Sequence, residues 1–218
     1  RPQALMPTVT VHLPKITTHQ ADVLFDPHRY RVVKACRRWG KTYLGVVACV
    51  DAAIDGKAAW WVAPSYPIAE IGWREIRGLV RQIPGHKLEE VDRIARLPGG
   101  GWIQVKSAVD PDSLRGEGLD LIVPDEAAFM VEEAWTAALR PALADKRGRA
   151  LFISSSNGPT WFARLCLRGQ DPLETEWKTW VFLPDTAYNL TAQEVEEARS
   201  TMPEAIFRRE FLCDDSAD

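Results

Sequence analysis

The sequence predicts an α/β domain with a mainly parallel central sheet, flanking helices and one attached antiparallel hairpin. Short apolar segments alternate along the chain with segments of helical periodicity. That alternation is typical of strands joined in parallel by crossover helices. A triple glycine, Gly99–Gly101, separates two further strand-like segments and indicates the hairpin.

Size and composition indicate one domain. The chain has 218 residues, of which 46% are hydrophobic, so it can bury one sizeable core. Its net charge of −3 provides no overall basic field that would attract nucleic acid. The four cysteines show no zinc-binding spacing, and no apolar run is long enough to cross a membrane. We therefore expect a soluble intracellular domain with free thiols.

The predicted elements follow from periodicity and from turn residues. Strands are expected at 30–36, 58–64, 119–124, 149–156 and 177–183. Helices are expected at 40–56, 67–83, 131–143, 161–168 and as a pair from residue 192 onward. The apolar side of the second helix is expected to comprise Ile68, Ile71, Ile76 and Leu79. The tryptophans lie mostly within these elements, which favours packing in the core.

The segment VVKACRRWGKTYLG, from Val32 to Gly45, ends in the pattern of a phosphate-binding loop. Gly40, Lys41 and Thr42 match the end of G-x-x-x-x-G-K-[ST], but Ala35 replaces the first glycine. Such a triplet arises by chance in about one chain of this length in ten, so its context must decide. It lies between a predicted strand and a predicted helix, where backbone N–H groups and the helix N-terminus bind phosphate oxygens. We therefore predict a P-loop.

Two carboxylates follow the apolar strand LDLIVP. Asp125 is expected at the carboxyl end of the sheet beside the P-loop, where it can hold Mg²⁺ together with Thr42. Glu126 can then activate a water molecule as a general base. The alternative is that both residues merely cap the next helix. The combination with the P-loop predicts a P-loop NTPase of the ASCE type, which carries an additional catalytic glutamate.

Five stretches occur in the order found in the ATPase domain of viral large terminases. They are CRRWGKT, VAPSYPIAEIGWREI, SLRGEGLDLIVPDEAAF, LFISSSNGPTWFARL and FRREFL. From about Gln20 to Leu212 the chain therefore resembles this bacteriophage family, whose members drive double-stranded DNA into preformed capsids. The resemblance implies a motor domain that binds ATP and Mg²⁺ and hydrolyses the ATP.

The resemblance also accounts for the altered front of the P-loop. Terminases are similar in carrying Arg-x-x-Gly-Lys-Thr in place of the glycine-rich front, so Ala35 fits the family. Arg37 is implied to lie near the γ-phosphate, and Arg38 is a second candidate cation; a surface charge is the alternative for both. Trp39 lies inside the loop and is included among the nucleotide-binding candidates without a specific role.

Two single residues acquire possible roles from the resemblance. Arg115 would reach the ATP of a neighbouring subunit as a trans arginine finger, because a planar guanidinium neutralises charge spread over phosphoryl oxygens. A solvated loop arginine is the alternative. Gln20 stands where the family has an adenine-recognising glutamine, although Arg29 or Tyr30 could equally pack on the base.

A polar run at the end of the fourth predicted strand matches the coupling motif of the family. Its residues are Ser154, Ser155, Ser156 and Asn157. They would sense the γ-phosphate and pass its loss on to the surface that grips DNA. A simple turn is the alternative, since serine and asparagine favour turns for local reasons.

The resemblance implies an organisation and a set of partners. We expect an N-terminal extended segment at 1–19, the P-loop ATPase domain at 20–212 and a mobile acidic tail, or the start of a linker, at 213–218. Full-length terminases continue into a nuclease domain, so no DNA cleavage is expected from this chain. The implied partners are double-stranded DNA, the capsid portal, the small terminase subunit and a homo-oligomeric ring, expected to be a pentamer, in the host cytoplasm.

The same motifs leave two alternative functions. The first is a helicase-like ATPase module, because the Asp-Glu-Ala-Ala box and the upstream glutamine are similar to those of helicases. The second is a nucleotide-dependent assembly switch without turnover, which a water-activating Glu126 argues against.

Overall fold

Strands of the computed structural model, which describes residues 15–114 and 116–216, form one eight-stranded sheet. They are β1 (Tyr30–Ala35), β2 (Ala58–Ala63), β3 (Lys87–Glu89), β4 (Ile94–Arg96), β5 (Trp102–Ser107), β6 (Leu121–Pro124), β7 (Arg149–Ser154) and β8 (Trp177–Phe182). Their order across the sheet is β3-β4-β5-β2-β6-β7-β1-β8. Neighbours from β5 to β8 are parallel, whereas β3, β4 and β5 pair antiparallel. The predicted fold class is confirmed.

The antiparallel part contains one strand more than predicted. The hairpin of β4 and β5 turns at Gly99–Gly101, as expected from the sequence. β3 adds a further three-residue strand at the edge. Three residues carry too short a period-two pattern to be recognised from sequence.

Helices cover both faces of the sheet. They are α1 (Thr18–Leu24), α2 (Lys41–Ile54), α3 (Tyr66–Val80), α4 (Arg140–Ala142), α5 (Trp161–Arg168), α6 (Ala192–Thr201) and α7 (Glu204–Leu212). α2, α3, α5, α6 and α7 lie where the sequence placed them. None of the described helices combines the length and the apolar character that crossing a membrane requires.

Two helical regions differ from the sequence expectation. α1 was not predicted, and residues 15–24 therefore include more than an extended segment, while residues 1–14 lie outside the described residues. The helix expected at 131–143 is a π-helical segment, Ala134–Leu139, followed by the short α4. Pro141 lacks the N–H group of a regular helix and its ring crowds the preceding turn, which a wider turn accommodates.

Both faces of the central strands are buried. In β2, for example, Trp61 packs in the cluster that contains α2 and α3, whereas Trp60 packs in the cluster on the opposite face. Alternate residues of β1 divide in the same way, with Val33 on the first side and Val32 on the second. This burial explains why the central strands appear in the sequence as continuous apolar runs.

The C-terminal residues are attached to the domain. Cys213 is buried, and the Asp215 carboxylate lies 2.7 Å from the Lys34 ammonium at the end of β1. Asp214 pairs with Arg208 of α7. The expectation of a mobile tail is therefore wrong for residues 213–216, because local charge composition does not reveal a partner 181 positions away.

Two glycines allow α2 and α3 to approach the indole of Trp61. A Cβ atom on Gly45 would lie 2.8 Å from Trp61 Cζ3, and one on Gly72 would lie 2.3 Å from Trp61 Nε1. Both distances are below any ordinary contact, so either side chain would displace the ring or the helix. These contacts set the distance of both helices from the sheet.

Replacing Gly72 with alanine should destabilise the protein by about 1–3 kcal/mol, because the added methyl group overpacks the Trp61 contact. Gly78 lies on the exposed side of the same helix, with no atom within 4 Å of its added Cβ. Gly78→Ala should therefore stabilise by about 0.5–1 kcal/mol through helix propensity. Urea unfolding of both variants measures the difference, and equal stabilities would refute the packing argument.

Candidate functional site

A cavity of about 820 Å³ opens at the carboxyl ends of the parallel strands. It is bordered by the loop after β1, the start of α2, one side of α3, the turn after β6, the loop after β7 and parts of α6 and α7. Open α/β sheets bind their ligands at this edge.

The loop after β1 aims the N-terminus of α2 into this cavity. Gly40 precedes the helix with φ 99° and Arg38 has φ 67°, so two left-handed residues reverse the chain. The first helical hydrogen bond runs from Leu44 N to Gly40 O, which leaves the preceding N–H groups without a helical acceptor. No side chain of the described residues caps this end. A helix N-terminus of this kind binds anions.

Lys41 and Thr42, the first residues of α2, line the cavity. The largely buried Lys41 ammonium donates hydrogen bonds to the carbonyl oxygens of Ala35 at 2.9 Å and of Cys36 at 3.1 Å. These bonds hold the cation across the base of the loop. Positive charge and the N-terminus of α2 therefore converge on one point, as phosphate binding requires.

Trp39 does not lie in the cavity. Its side chain is 3% exposed and stacks on Phe182 of β8, with ring centroids 4.4 Å apart. The indole therefore packs outside the cavity, and the nucleotide contact of Trp39 stays a prediction. The indole instead fastens the loop to the edge strand, and the Cys36 N–H strengthens this attachment by donating to the Phe182 carbonyl at 2.9 Å.

The two arginines of the loop, Arg37 and Arg38, are exposed and line the cavity. The backbone N–H of Arg37 donates to the carbonyl of Glu210 in α7 at 2.8 Å. Arg38 faces Glu194 at the start of α6; hydrogen bonds from Thr191, together with the charge of Arg38, lower the pKa of Glu194. The C-terminal helices thus form one wall of the site.

Asp125 is buried at the end of β6. Its backbone N–H donates to Val62 O at 2.7 Å, and its side chain is only 3% exposed. Oδ1 is fully buried without a hydrogen-bond partner in the described part of the chain. Burial, reinforced by the charge of Glu126, raises the pKa of Asp125 to about 7, although Lys41 acts in the opposite direction. A buried carboxylate in this position is stabilised by a cation.

These residues fit a magnesium ion. Thr42 and Asp125 line the same cavity and offer a hydroxyl and an unpartnered carboxylate oxygen. Within residues 15–114 and 116–216, no three His, Cys, Asp or Glu side chains group into a metal centre. Mg²⁺ at nucleotide sites is commonly held by one or two protein ligands together with phosphate oxygens and waters, so the donor set is sufficient.

Glu126 has an unusual backbone. Its φ and ψ of 50° and 46° are left-handed, which costs a residue with a side chain about 1–3 kcal/mol. Its Oε2 accepts a hydrogen bond from Ser154 Oγ at 3.2 Å. Its carboxylate makes no capping bond to the short helix that follows, so the capping alternative does not describe it. The strain directs the side chain into the cavity that it lines.

The predicted coupling motif divides into separate contacts. Ser154 accepts from Ala128 N at 3.2 Å as well as donating to Glu126, and Asn157 Nδ2 donates to Ala128 O at 3.3 Å. Ser155 lines the cavity. Ser156 contacts the C-terminal segment instead. Of the four residues, Ser155 is therefore the one placed to meet a ligand.

Gln20 supports the P-loop from the side that faces away from the cavity. It is 4% exposed and does not line the cavity. Its Oε1 accepts from Thr17 N at 3.0 Å in a capping box, and its Nε2 donates to Gly40 O at 3.4 Å. The Gln20 amide is therefore engaged within the protein, and its adenine contact stays a prediction. Arg29 and Tyr30 stand at the opposite end of β1 from the loop and cannot replace it.

Further residues line the cavity that no sequence motif assigned to a site. Tertiary packing brings them to the cavity, and motif spacing does not reveal such packing. They are Tyr43, Ile68, Ile71, Glu75, Phe129, Asn189, Glu194 and Glu210. Ile71, expected in the core, is 45% exposed at the rim of the cavity. Arg115 lies outside the described residues.

The chain matches terminase large subunits of several phages in sequence. No family model matches it. The terminase large subunit of Escherichia phage T5 is 32% identical over 216 residues, which cover 94% of this chain and 48% of that protein. The chain belongs to the phage large-terminase family. The predicted family resemblance is thereby confirmed. The chain spans about half the length of its T5 relative.

Solved large-terminase structures share the fold. The ATPase domain of the Thermus phage P74-26 large terminase superimposes with a TM-score of 0.81 at 24% identity, covering 92% of this chain and 94% of that one. The large terminase of a thermophilic bacteriophage, solved in complex with ATP-γ-S, gives 0.75 at 17% identity, covering 93% and 53%. The described residues therefore have the fold of a large-terminase ATPase domain.

Asp125→Asn should raise the free energy of unfolding at pH 8 in metal-free buffer, by about 1–3 kcal/mol, because it removes a buried unpaired charge. The pKa of Asp125 is raised from the ordinary 3.8 to about 7 in the folded protein, so the stability of the unmodified protein falls as the pH rises from about 4 to about 7. The increase in the free energy of unfolding caused by Asp125→Asn should therefore be smaller at pH 5 than at pH 8. Urea unfolding at both pH values measures it.

Glu133→Gln, at an exposed carboxylate, is the control and should leave stability nearly unchanged at both pH values. An asparagine variant less stable than the unmodified protein at pH 8 would contradict the assignment of Asp125 as a buried, uncompensated charge.

Proposed function

We propose that this chain is a Mg²⁺-dependent ATPase and forms the motor domain of a phage DNA-packaging terminase. One observation carries the proposal: the N-terminus of α2, the unpartnered Asp125 oxygen and the oriented Glu126 carboxylate converge on a single cavity. The relationship to terminase large subunits supports the same conclusion.

Phosphate binding is assigned to the start of α2. The N–H groups that lack a helical acceptor, together with the Lys41 ammonium, would hold the β- and γ-phosphates. Arg37 and Arg38 line the same cavity and would add positive charge beside the γ-phosphate. Gly40 is held by Gln20 and Trp39 by Phe182, so contacts within the chain fix the position of the loop.

Thr42 and Asp125 would hold the magnesium ion. When bound, Mg²⁺ neutralises negative charge on the phosphate oxygens during phosphoryl transfer. Burial of Asp125 keeps competing water away from this carboxylate. The residue thereby contributes a desolvated negative charge at the point where the cation is required.

Glu126 would orient the attacking water and accept its proton. Ser154 donates to Oε2, which fixes the carboxylate and leaves Oε1 to accept a hydrogen bond from water. A fixed general base favours hydrolysis over a switch that binds nucleotide without turnover, since the latter has no use for water activation. ATP hydrolysis is the reaction that we assign to this chain.

The partners proposed for the assembled motor are those implied by the family. They are double-stranded DNA, the capsid portal, the small terminase subunit and further copies of the chain in a pentameric ring, within the host cytoplasm. Arg115 is proposed to complete the site of a neighbouring copy. The names of the relatives as terminase large subunits support this part of the proposal.

Glu126→Gln should lower steady-state ATP turnover by about 100-fold or more while leaving ATP-γ-S binding within about threefold, because the amide cannot accept the proton. Lys41→Ala should lose both turnover and binding. Phosphate release and isothermal titration calorimetry measure the two quantities. Lys57→Ala, at an exposed surface pair with Asp55, is the control. Turnover by Glu126→Gln at the rate of the unmodified protein would refute the assignment.

Turnover per subunit should rise with protein concentration, because a ring site needs its neighbour's Arg115. Arg115→Ala should abolish that rise. Mixing inactive Arg115→Ala with inactive Lys41→Ala should restore part of the turnover, since the second variant supplies an arginine to the intact P-loop of the first. Turnover that is independent of concentration, with no restoration on mixing, would exclude a trans role for Arg115.

A further inference from the structure

The segment that follows α7 is attached to both strands that lead into the site. Asp215 Oδ2 lies 2.7 Å from the Nζ atom of Lys34 in β1. Its other oxygen, Oδ1, accepts from Ser156 Oγ at 2.6 Å. Lys34 pairs directly with Ser154 in the β1–β7 register. Asp215 thus bridges the end of the P-loop strand and the loop that follows the neighbouring strand.

Ser156 lies two residues after Ser154, the last residue of β7, which contacts Glu126 Oε2 and the Ala128 N–H. One residue after Ser156, Asn157 contacts the Ala128 carbonyl. Both backbone groups of Ala128 are therefore bound by the residues on either side of Ser156. The position of Ser156 is thus coupled through two peptide units to the side chain that orients the carboxylate.

Asp215 is the stronger of the two acceptors within reach of the Ser156 hydroxyl proton. Ser156 Oγ also lies 3.0 Å from the Asp214 carbonyl. A hydroxyl has a single proton, and a charged acceptor at 2.6 Å binds it more strongly than a neutral one at 3.0 Å. The carboxylate of Asp215 is thus the group that holds Ser156 in place, while Lys34 compensates its charge.

We propose that Asp215 is a positioning residue for ATP hydrolysis, which acts through Ser156 and its loop on the general base Glu126. This inference rests on the proposed function. It gives the residues after α7 a role in the catalytic step, so that displacement of this segment releases Glu126 and slows turnover.

Asp214 offers a matched control. Its side chain is 25% exposed, as is that of Asp215, and it also carries an ion pair. Its partners, however, are Arg208 and Ser216, both within the same C-terminal region. Loss of either aspartate removes one charge and one pair, but only Asp215 touches the loop after β7 with its side chain.

The test compares Asp215→Asn, Ser156→Ala and Asp214→Asn with the unmodified protein in the full chain. Asp215→Asn and Ser156→Ala should each lower kcat by about five- to tenfold, with KM for ATP changed less than about twofold, because they loosen the base and leave phosphate binding intact. Asp214→Asn should stay within about twofold in both constants. If Asp215→Asn does not fold, Ser156→Ala still tests the proposal, because it removes the same contact from the other side.

Hydrogen exchange provides a readout that does not depend on turnover. Without nucleotide, amides of residues 154–158 should exchange about tenfold faster in Asp215→Asn than in Asp214→Asn. Equal exchange and equal kcat in the two variants would overturn the inference. A failure of the proposed function gives another pattern: the unmodified protein then neither binds ATP-γ-S nor exceeds the turnover of Lys41→Ala. That pattern is distinguishable from a failure of the inference about Asp215.

Discussion

The left-handed turn at Gly40 is the constraint on which the site depends. It ends the loop after β1 and starts α2, so it decides where the helix N-terminus points. A side chain at this position would require a strained φ and would approach Gln20 Nε2 to 2.7 Å. Because Gln20 also closes the capping box of α1, the amide joins the first helix of the domain to its phosphate-binding loop.

Sheet order then assembles the remaining groups around that turn. β7 lies between β1 and β6, so the residues after all three strands meet at one edge of the sheet although they are far apart in sequence. The loop after β7 connects to Glu126 on one side and to Asp215 on the other. The strand before the P-loop, the Glu126 carboxylate and the C-terminal segment are thereby held in one hydrogen-bonded arrangement.

Sequence reasoning predicted the parts that depend on local pattern. The strand–loop–helix around Lys41, the strand ending at Asp125 and the order of most elements follow from periodicity and motif spacing. Sequence reasoning did not reveal contacts between residues that are far apart in the chain. Trp39 and Gln20 sit in or near a functional motif, yet the first stacks on Phe182 and the second supports Gly40. The Thr17–Gln20 capping box was a local signal that would have revealed α1.

The backbone of Glu126 shows that the site is kept at the expense of folding stability. A left-handed conformation favours glycine or asparagine, and a buried, unpaired carboxylate at Asp125 favours a neutral residue. Folding stability alone would therefore favour other residues at both positions. Their joint presence indicates that the cavity which both residues line constrains the chain more strongly here than folding stability does.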